Sequence, residues 1–338
     1  MKTTRPSFAL AGLVGLTLLA GCGSDATTAA SPATTEVATT AALTTTALPA
    51  TTELSATTAL PATVFPVTIS AANGPVTIAA APTKIVSLSP TATEMLFAIG
   101  AGSQVVAVDA NSNYPAGVPT TDLSGFEPNV EAIAGYQPDL VVLSDDMGGI
   151  VAALSALKIP VLQEPAAATI DDSYAQLEQI GAATGHVADA AGIVADMQTK
   201  LDAIVASTPR PATPISIYHE LDDTYYSATS KTFIGALYAK LSLINIADAA
   251  DKDGSGYPQL SVEYIVKANP SIVLLADTKC CKQSAATVAA RPGWDKISAV
   301  AHGRVVELDD DVASRWGPRV VDLLQAVETA VAQVSVGA

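Results

Sequence analysis

Two carboxylates recur in nearly the same local setting. Glu131 lies in NVEAIAGYQPDLVVL (129–143) and Glu263 in SVEYIVKANPSIVLL (261–275). Each follows a capping-type residue (Asn129, Ser261) and a valine, has an isoleucine two places on and a proline seven places on, and leads into a four-residue apolar run. A Ser or Asn cap with a carboxylate at the second helical position sets the charge against the free amides of a helix start, where it is favoured by about 0.3–1 kcal/mol. The same exposed carboxylate can also accept a charge-assisted bond from an arginine of another molecule. The interval between the copies is far too long for a solenoid repeat and indicates two similar halves.

Other chemistry is thinly represented. His186, His219 and His302 are scattered, with no His-rich loop and no Cys-x-x-Cys, so no transition-metal site is expected. His219 ends a predicted strand and is either a hydrogen-bonded strand-end residue or a contact to the metal of a bound solute. IGAG (99–102) follows a helix and lacks the third glycine of a dinucleotide fingerprint, which makes it a helix stop. There is no G-x-S-x-G, no H-E-x-x-H and no phosphate-cradling loop with a lysine. YHELDD (218–223) sets a histidine beside carboxylates, but neighbours on a strand face opposite ways. No catalytic residue, resident cofactor or enzymatic activity is expected.

The elements that must position these residues alternate between strand and helix. KIVSLS (84–89) is a strand; Ser89 and Pro90 then cap and open a helix that runs through Ile99 to a stop at Gly100. Strands at 105–109, 140–145 and 161–164 alternate with helices from about 130, at 148–157 and at 172–184, which is the pattern of a mostly parallel sheet in an α/β lobe. Residues 186–206 form one long helix, with Val187, Ala191, Val194, Met197, Leu201, Ile204 and Val205 on its apolar side, and STPRPATP (207–214) ends it. A second α/β lobe follows, with strands at 215–219, within the second motif copy and at 305–308, and a closing helix at 318–333. The expected organisation is therefore a lobe at 82–185, a connecting helix at 186–207 and a lobe at 214–338, with a cleft between the lobes.

Open α/β sheets bind ligands beyond the carboxyl ends of their strands. In the first lobe that places Asn111, Asn113, Tyr114, Phe126, Ser144 and Asp145 at the cleft. In the second it places Tyr218, His219, Tyr225, Tyr226, Tyr257, Asp311, Arg315 and Trp316. Aromatic residues make up only 5% of the chain yet gather in the second lobe's loops, which suits a large planar or amphipathic ligand.

The bulk properties agree. A net charge of −16 without a basic cluster excludes nucleic-acid binding, since phosphate neutralisation needs gathered Lys and Arg. Lys2 and Arg5 precede an apolar stretch from Phe8 to Ala20, the layout of an export signal at 1–21. Residues 22–63 are rich in Thr and Ala and repeat TTALPAT, a composition that buries too little to offset ordering and acts as an extended tether. Cys280 and Cys281 are adjacent, either as two thiols or as a strained vicinal disulfide.

PTKIVSLSPTATEMLFAIGAGSQVVAVD, the two motif copies and the long connecting helix resemble the substrate-binding proteins of bacterial ABC importers for iron complexes and cobalamin. LAGC (19–22) resembles the lipobox of bacterial lipoproteins. The resemblance covers the chain from about residue 82 onward. It implies the helical-backbone (class III) periplasmic-binding fold, in which two Rossmann-like lobes are joined by one long helix. It further implies lipidation of Cys22, an extracytoplasmic location on the cell membrane, and a permease dimer with its ATPase as partner, docked through Glu131 and Glu263. A tethered sensor or adhesion lipoprotein on the same fold is the alternative, and the paired glutamates weigh against it. From residue 84 to the end of the connecting helix the basic residues are Lys84, Lys158 and Lys200, none in a cleft loop. Carboxylate-rich ligands such as ferric catecholates or haem want converging Arg or Lys. The expected solute is thus neutral or cationic: a corrinoid first, a ferric hydroxamate siderophore second.

Overall fold

The computed structural model describes residues 63–336, and the export signal, Cys22 and nearly all of the tether lie outside them. The described chain opens with an antiparallel hairpin of β1 (Val67–Ala71) and β2 (Gly74–Ile78), which precedes the strand–helix alternation expected from residue 82 onward. Its signals are local. Ile69, Val76 and Ile78 alternate with exposed Thr68, Ser70, Pro75 and Thr77, and Asn73–Gly74 closes the turn with Gly74 at φ +100°. Asn73 donates to the Val161 carbonyl (2.9 Å) and accepts from the Gln163 amide (3.2 Å), so the hairpin covers the edge of the next sheet.

The first lobe contains β3 (Ile85–Leu88), α1 (Pro90–Ala98), β4 (Val105–Val108), α2 (Val130–Gly135), β5 (Leu140–Leu143), α3 (Ile150–Ala156), β6 (Val161–Gln163) and α4 (Ile170–Thr184). Its parallel sheet has the order β4-β3-β5-β6. α5 (Val187–Ser207) follows. The second lobe contains β7 (Ser216–Glu220), α6 (Phe233–Lys240), β8 (Ile244–Asn245), α7 (Val262–Ala268), β9 (Ile272–Leu275), α8 (Ala285–Ala289), α9 (Ser298–Ala301), β10 (Val305–Glu307), α10 (Asp310–Ala313) and α11 (Val320–Val336). Its sheet, β8-β7-β9-β10, is again parallel.

The two sheets are wound identically, with the first strand of each between the second and the third. The recurrent motif occupies the same address in both: a short helix (α2, α7) that delivers the chain into the third strand (β5, β9), every residue of which is buried. Covered on both faces by helices, such a strand must be apolar throughout, which is why the motif ends in LVVL and IVLL. Asn129 and Ser261 each accept from the third helical amide, at 2.9 and 3.1 Å.

α5 buries Ala190, Val194, Met197, Leu201 and Ile204 and packs on α4 of the first lobe and α11 of the second. The expected stripe is thus corrected at its start, where Ala190 replaces Val187 and Ala191. The reason is a close approach to α4, at which a Cβ on Gly181 would sit 2.5 Å from that of Ala190. The residue at 190 must therefore be small and turned inward.

Candidate functional site

A cavity of about 590 Å³ opens where the strand order of the first sheet reverses, between the ends of β3 and β5. Its floor is Leu88–Thr91 at the start of α1. Asp109, Asn111 and Asn113 after β4, Gly125 and Phe126, and Ser144 and Asp145 after β5 form its sides, and Asp311, Ser314, Arg315 and Trp316 of the second lobe close it. Ser89 caps α1 by accepting from the Ala92 amide, and its hydroxyl also accepts from Ser144 (2.7 Å). Behind this wall, Ser87, Thr93 and Ser112 form a buried chain of hydroxyls.

The second-lobe residues are held by bonds that cross between the lobes. Arg315 donates to Glu94 (2.7 Å), to the Asn113 side chain (3.0 Å), to the Asn111 carbonyl (3.1 Å) and to Asp311 (2.9 Å). Arg319 also grips Glu94, through Nε at 2.8 Å and Nη2 at 2.5 Å, and this bonding raises its pKa further. Trp316 donates from its indole to Gln176 (2.7 Å), and its carbonyl accepts from Ser173. Lys279, outside the cavity lining, is shared by Asp309 and Asp311, both at 2.7 Å. Every cation named here is already matched by carboxylates, whereas Asp109 and Asp145 have no basic partner.

Of the residues expected at the cleft, Asn111, Asn113, Phe126, Ser144, Asp145, Asp311, Arg315 and Trp316 are brought together around this cavity. Tyr114 is beside it, its ring under the Arg319 guanidinium at 4.1 Å and facing a smaller cavity with Phe97 and Pro318. Tyr226 and Tyr257 stand exposed on second-lobe loops, outside the cavity lining. Tyr218 and His219 need correction, because both are fully buried in β7. The Tyr218 ring packs edge-on against Trp294, and His219 Nδ1 lies 3.0 Å from the Tyr238 hydroxyl, its pKa pushed down to about 4 by burial. β7 lies between two neighbours and under helices on both faces, so its alternate side chains enter core on either side. Tyr225, too, stacks beside Trp294 and under Arg291.

Asp109, Glu94 and Gly125 were not singled out from the sequence. Asp109 is the last residue of VVAVD, directly at a strand's carboxyl end, and that position was the available signal. Gly125 carries only a spatial reason: a Cβ there would collide with the Leu88 carbonyl and sit 3.3 Å from Asp109 Oδ2.

Away from the cavity, Glu131 and Glu263 are exposed at their helix starts. The amide and hydroxyl donors at the start of α7 hold the Glu263 carboxyl below its usual range. Cys280 and Cys281 are separate thiols, Cys280 exposed and Cys281 half-buried. Among the described residues no His, Cys, Asp and Glu cluster is arranged to hold a metal, and no helix is long and apolar enough to cross a membrane.

Two identically wound α/β lobes on one helical spine, with a cavity at a strand-order reversal closed by the opposite lobe, define a solute-binding protein of the helix-bridged type. The chain belongs to the periplasmic binding protein family, whose profile matches residues 85–312. An uncharacterized ABC transporter substrate-binding lipoprotein of Bacillus subtilis, YvrC, is 35% identical over 268 residues, covering 76% of this chain and 83% of that one. A cobalamin-binding protein of Halobacterium salinarum is 33% identical over 271 residues, with 76% and 72% covered. A solved structure of a possible iron-binding (periplasmic solute-binding) protein from Staphylococcus epidermidis superposes with a TM-score of 0.64 at 27% identity, over 75% of this chain and 99% of that one. The protein is a substrate-binding component of an ABC importer, a class that works with a permease and an ATPase.

Proposed function

We propose that this protein is an exported lipoprotein, anchored through Cys22 on the extracytoplasmic face of the membrane, that captures a corrinoid and delivers it to a permease dimer. The observation that carries the choice of solute is the charge of the cavity. Its lining holds Asp109, Asp145 and Asp311 against one cation, Arg315, which is already bound by Glu94 and Asp311. A catecholate complex or a haem would bring several negative charges to a wall with no free positive partner, and desolvating them there is costly. A neutral or cationic complex carrying hydrogen-bond donors meets no such penalty, and the name of the Halobacterium relative supports a corrinoid among these. Glu131 and Glu263, one per lobe at matching positions, suit a permease built from two like subunits. Their charge-assisted bonds to arginines would set register and encounter rate. Labelled cobalamin uptake by cells lacking the gene tests the reading. Uptake restored by the full chain, and not by a Cys22→Ala chain released from the cell, is expected; uptake indifferent to the gene would overturn it.

A further inference from the structure

Asp109 is 1% exposed, lines the cavity, and has an Oδ1 with no hydrogen-bond partner in the protein. Burial raises its pKa, opposed by the neighbouring Ser112 and Asn111 donors and the more distant Arg315. Gly125, with no side chain, leaves the space against Oδ2 that lets the carboxyl remain at the wall. A buried acceptor without a partner is destabilising, and for a carboxyl on a cavity wall a donor carried by an entering solute offsets that cost.

We propose that Asp109 selects the bound solute by its donors, accepting a hydrogen bond from a peripheral N–H or O–H, so that the cavity takes complexes presenting primary amides or hydroxyls and rejects those presenting carboxylates. The inference rests on the cleft being the solute site of the proposed function and adds which chemical group is read. Asp145 and Asp311 lie on the same cavity, but Asp145 is exposed and Asp311 is held by Lys279, Asn113 and Arg315. Of the three carboxylates on this cavity, Asp109 is thus the buried one with an open acceptor.

The test pairs cobinamide, which presents amides, with cobyrinic acid, which presents carboxylates at the same places, titrated at neutral pH against the full chain and two variants. The wild type should prefer cobinamide strongly. Asp109→Asn keeps an acceptor and adds a donor, so the preference should fall by about 10- to 100-fold, chiefly through tighter cobyrinic acid binding. Asp109→Leu removes the acceptor and should weaken cobinamide by at least about 10-fold, with the unfolding transition still cooperative. If both folded variants bind the two probes with the wild-type ratio and affinity, the inference is overturned while the corrinoid reading stands. If the wild type binds neither probe, the corrinoid reading fails, and this inference fails with it.

Discussion

The carboxylate of Glu94, on the first helix of the N-terminal lobe, lies 2.7 Å from the guanidinium of Arg315, which belongs to the C-terminal lobe. Both side chains are buried, and Arg319 joins the same carboxylate, so one acid of the first lobe holds two bases of the second beneath the cavity. A hinge limited to the α5 spine would leave the cleft free to gape; these bonds fix one side of it.

Removing that acid should be costly, since it strands two buried or half-buried guanidinium groups. Glu94→Ala is expected to lower unfolding stability in urea by about 3–5 kcal/mol. A loss below about 1 kcal/mol would mean that the two arginines find other partners and that the lobes are not latched here.

Phe126 separates binding from stability. The residue is 69% exposed while lining the cavity. Phe126→Ala should therefore leave unfolding within about 0.5 kcal/mol of wild type but weaken solute binding by at least about 1 kcal/mol. Unaltered binding would place the solute elsewhere on the cleft.

The paired glutamates predict the opposite separation, between binding and transport. Glu131→Ala combined with Glu263→Ala should leave solute affinity unchanged in solution and lower permease-coupled uptake, with each single variant intermediate. Wild-type uptake by the double variant would reduce both residues to helix-start acids.

Glu164, buried at the end of β6, has its pKa pushed up to about 8 by burial, and its side-chain partner is the Gln179 amide, which reaches both carboxyl oxygens at 3.2 and 2.8 Å once oriented to donate. The folded state therefore holds a proton that the unfolded chain releases at about pH 4.3. The resulting stabilisation is complete below that value and is lost as pH rises toward about 8. Glu164→Gln should flatten the fall in stability between pH 5 and 8, read from unfolding curves at several pH values. Parallel pH profiles for the variant and wild type would contradict this.

Much of the fold was legible because parallel strands covered on both faces must be apolar along their length and must alternate with helices; LVVL and IVLL carry that requirement openly. The hairpin at 67–78 is equally legible from Asn73–Gly74 and its alternating neighbours, but it lies outside the strand–helix rhythm of the two lobes. The rule that ligands meet the ends of strands points to Asn111, Phe126, Ser144 and the Asp311–Trp316 loop, which line the cavity. It misplaced Tyr218 and His219, because a strand's last residues still enter the core when helices cover both faces. Glu94 was not recognisable, since a glutamate in the first turns of a helix has a sufficient local reason to be there, and its two arginines are more than two hundred residues away.

The most direct measurement is a calorimetric titration of the purified full chain with cobinamide, a ferric hydroxamate and a ferric catecholate in parallel. The charge of the cavity predicts tight one-to-one binding of cobinamide, with quenching of Trp316 fluorescence, and no measurable binding of the catecholate. Tight catecholate binding, with cobinamide inert, would contradict the account at its centre.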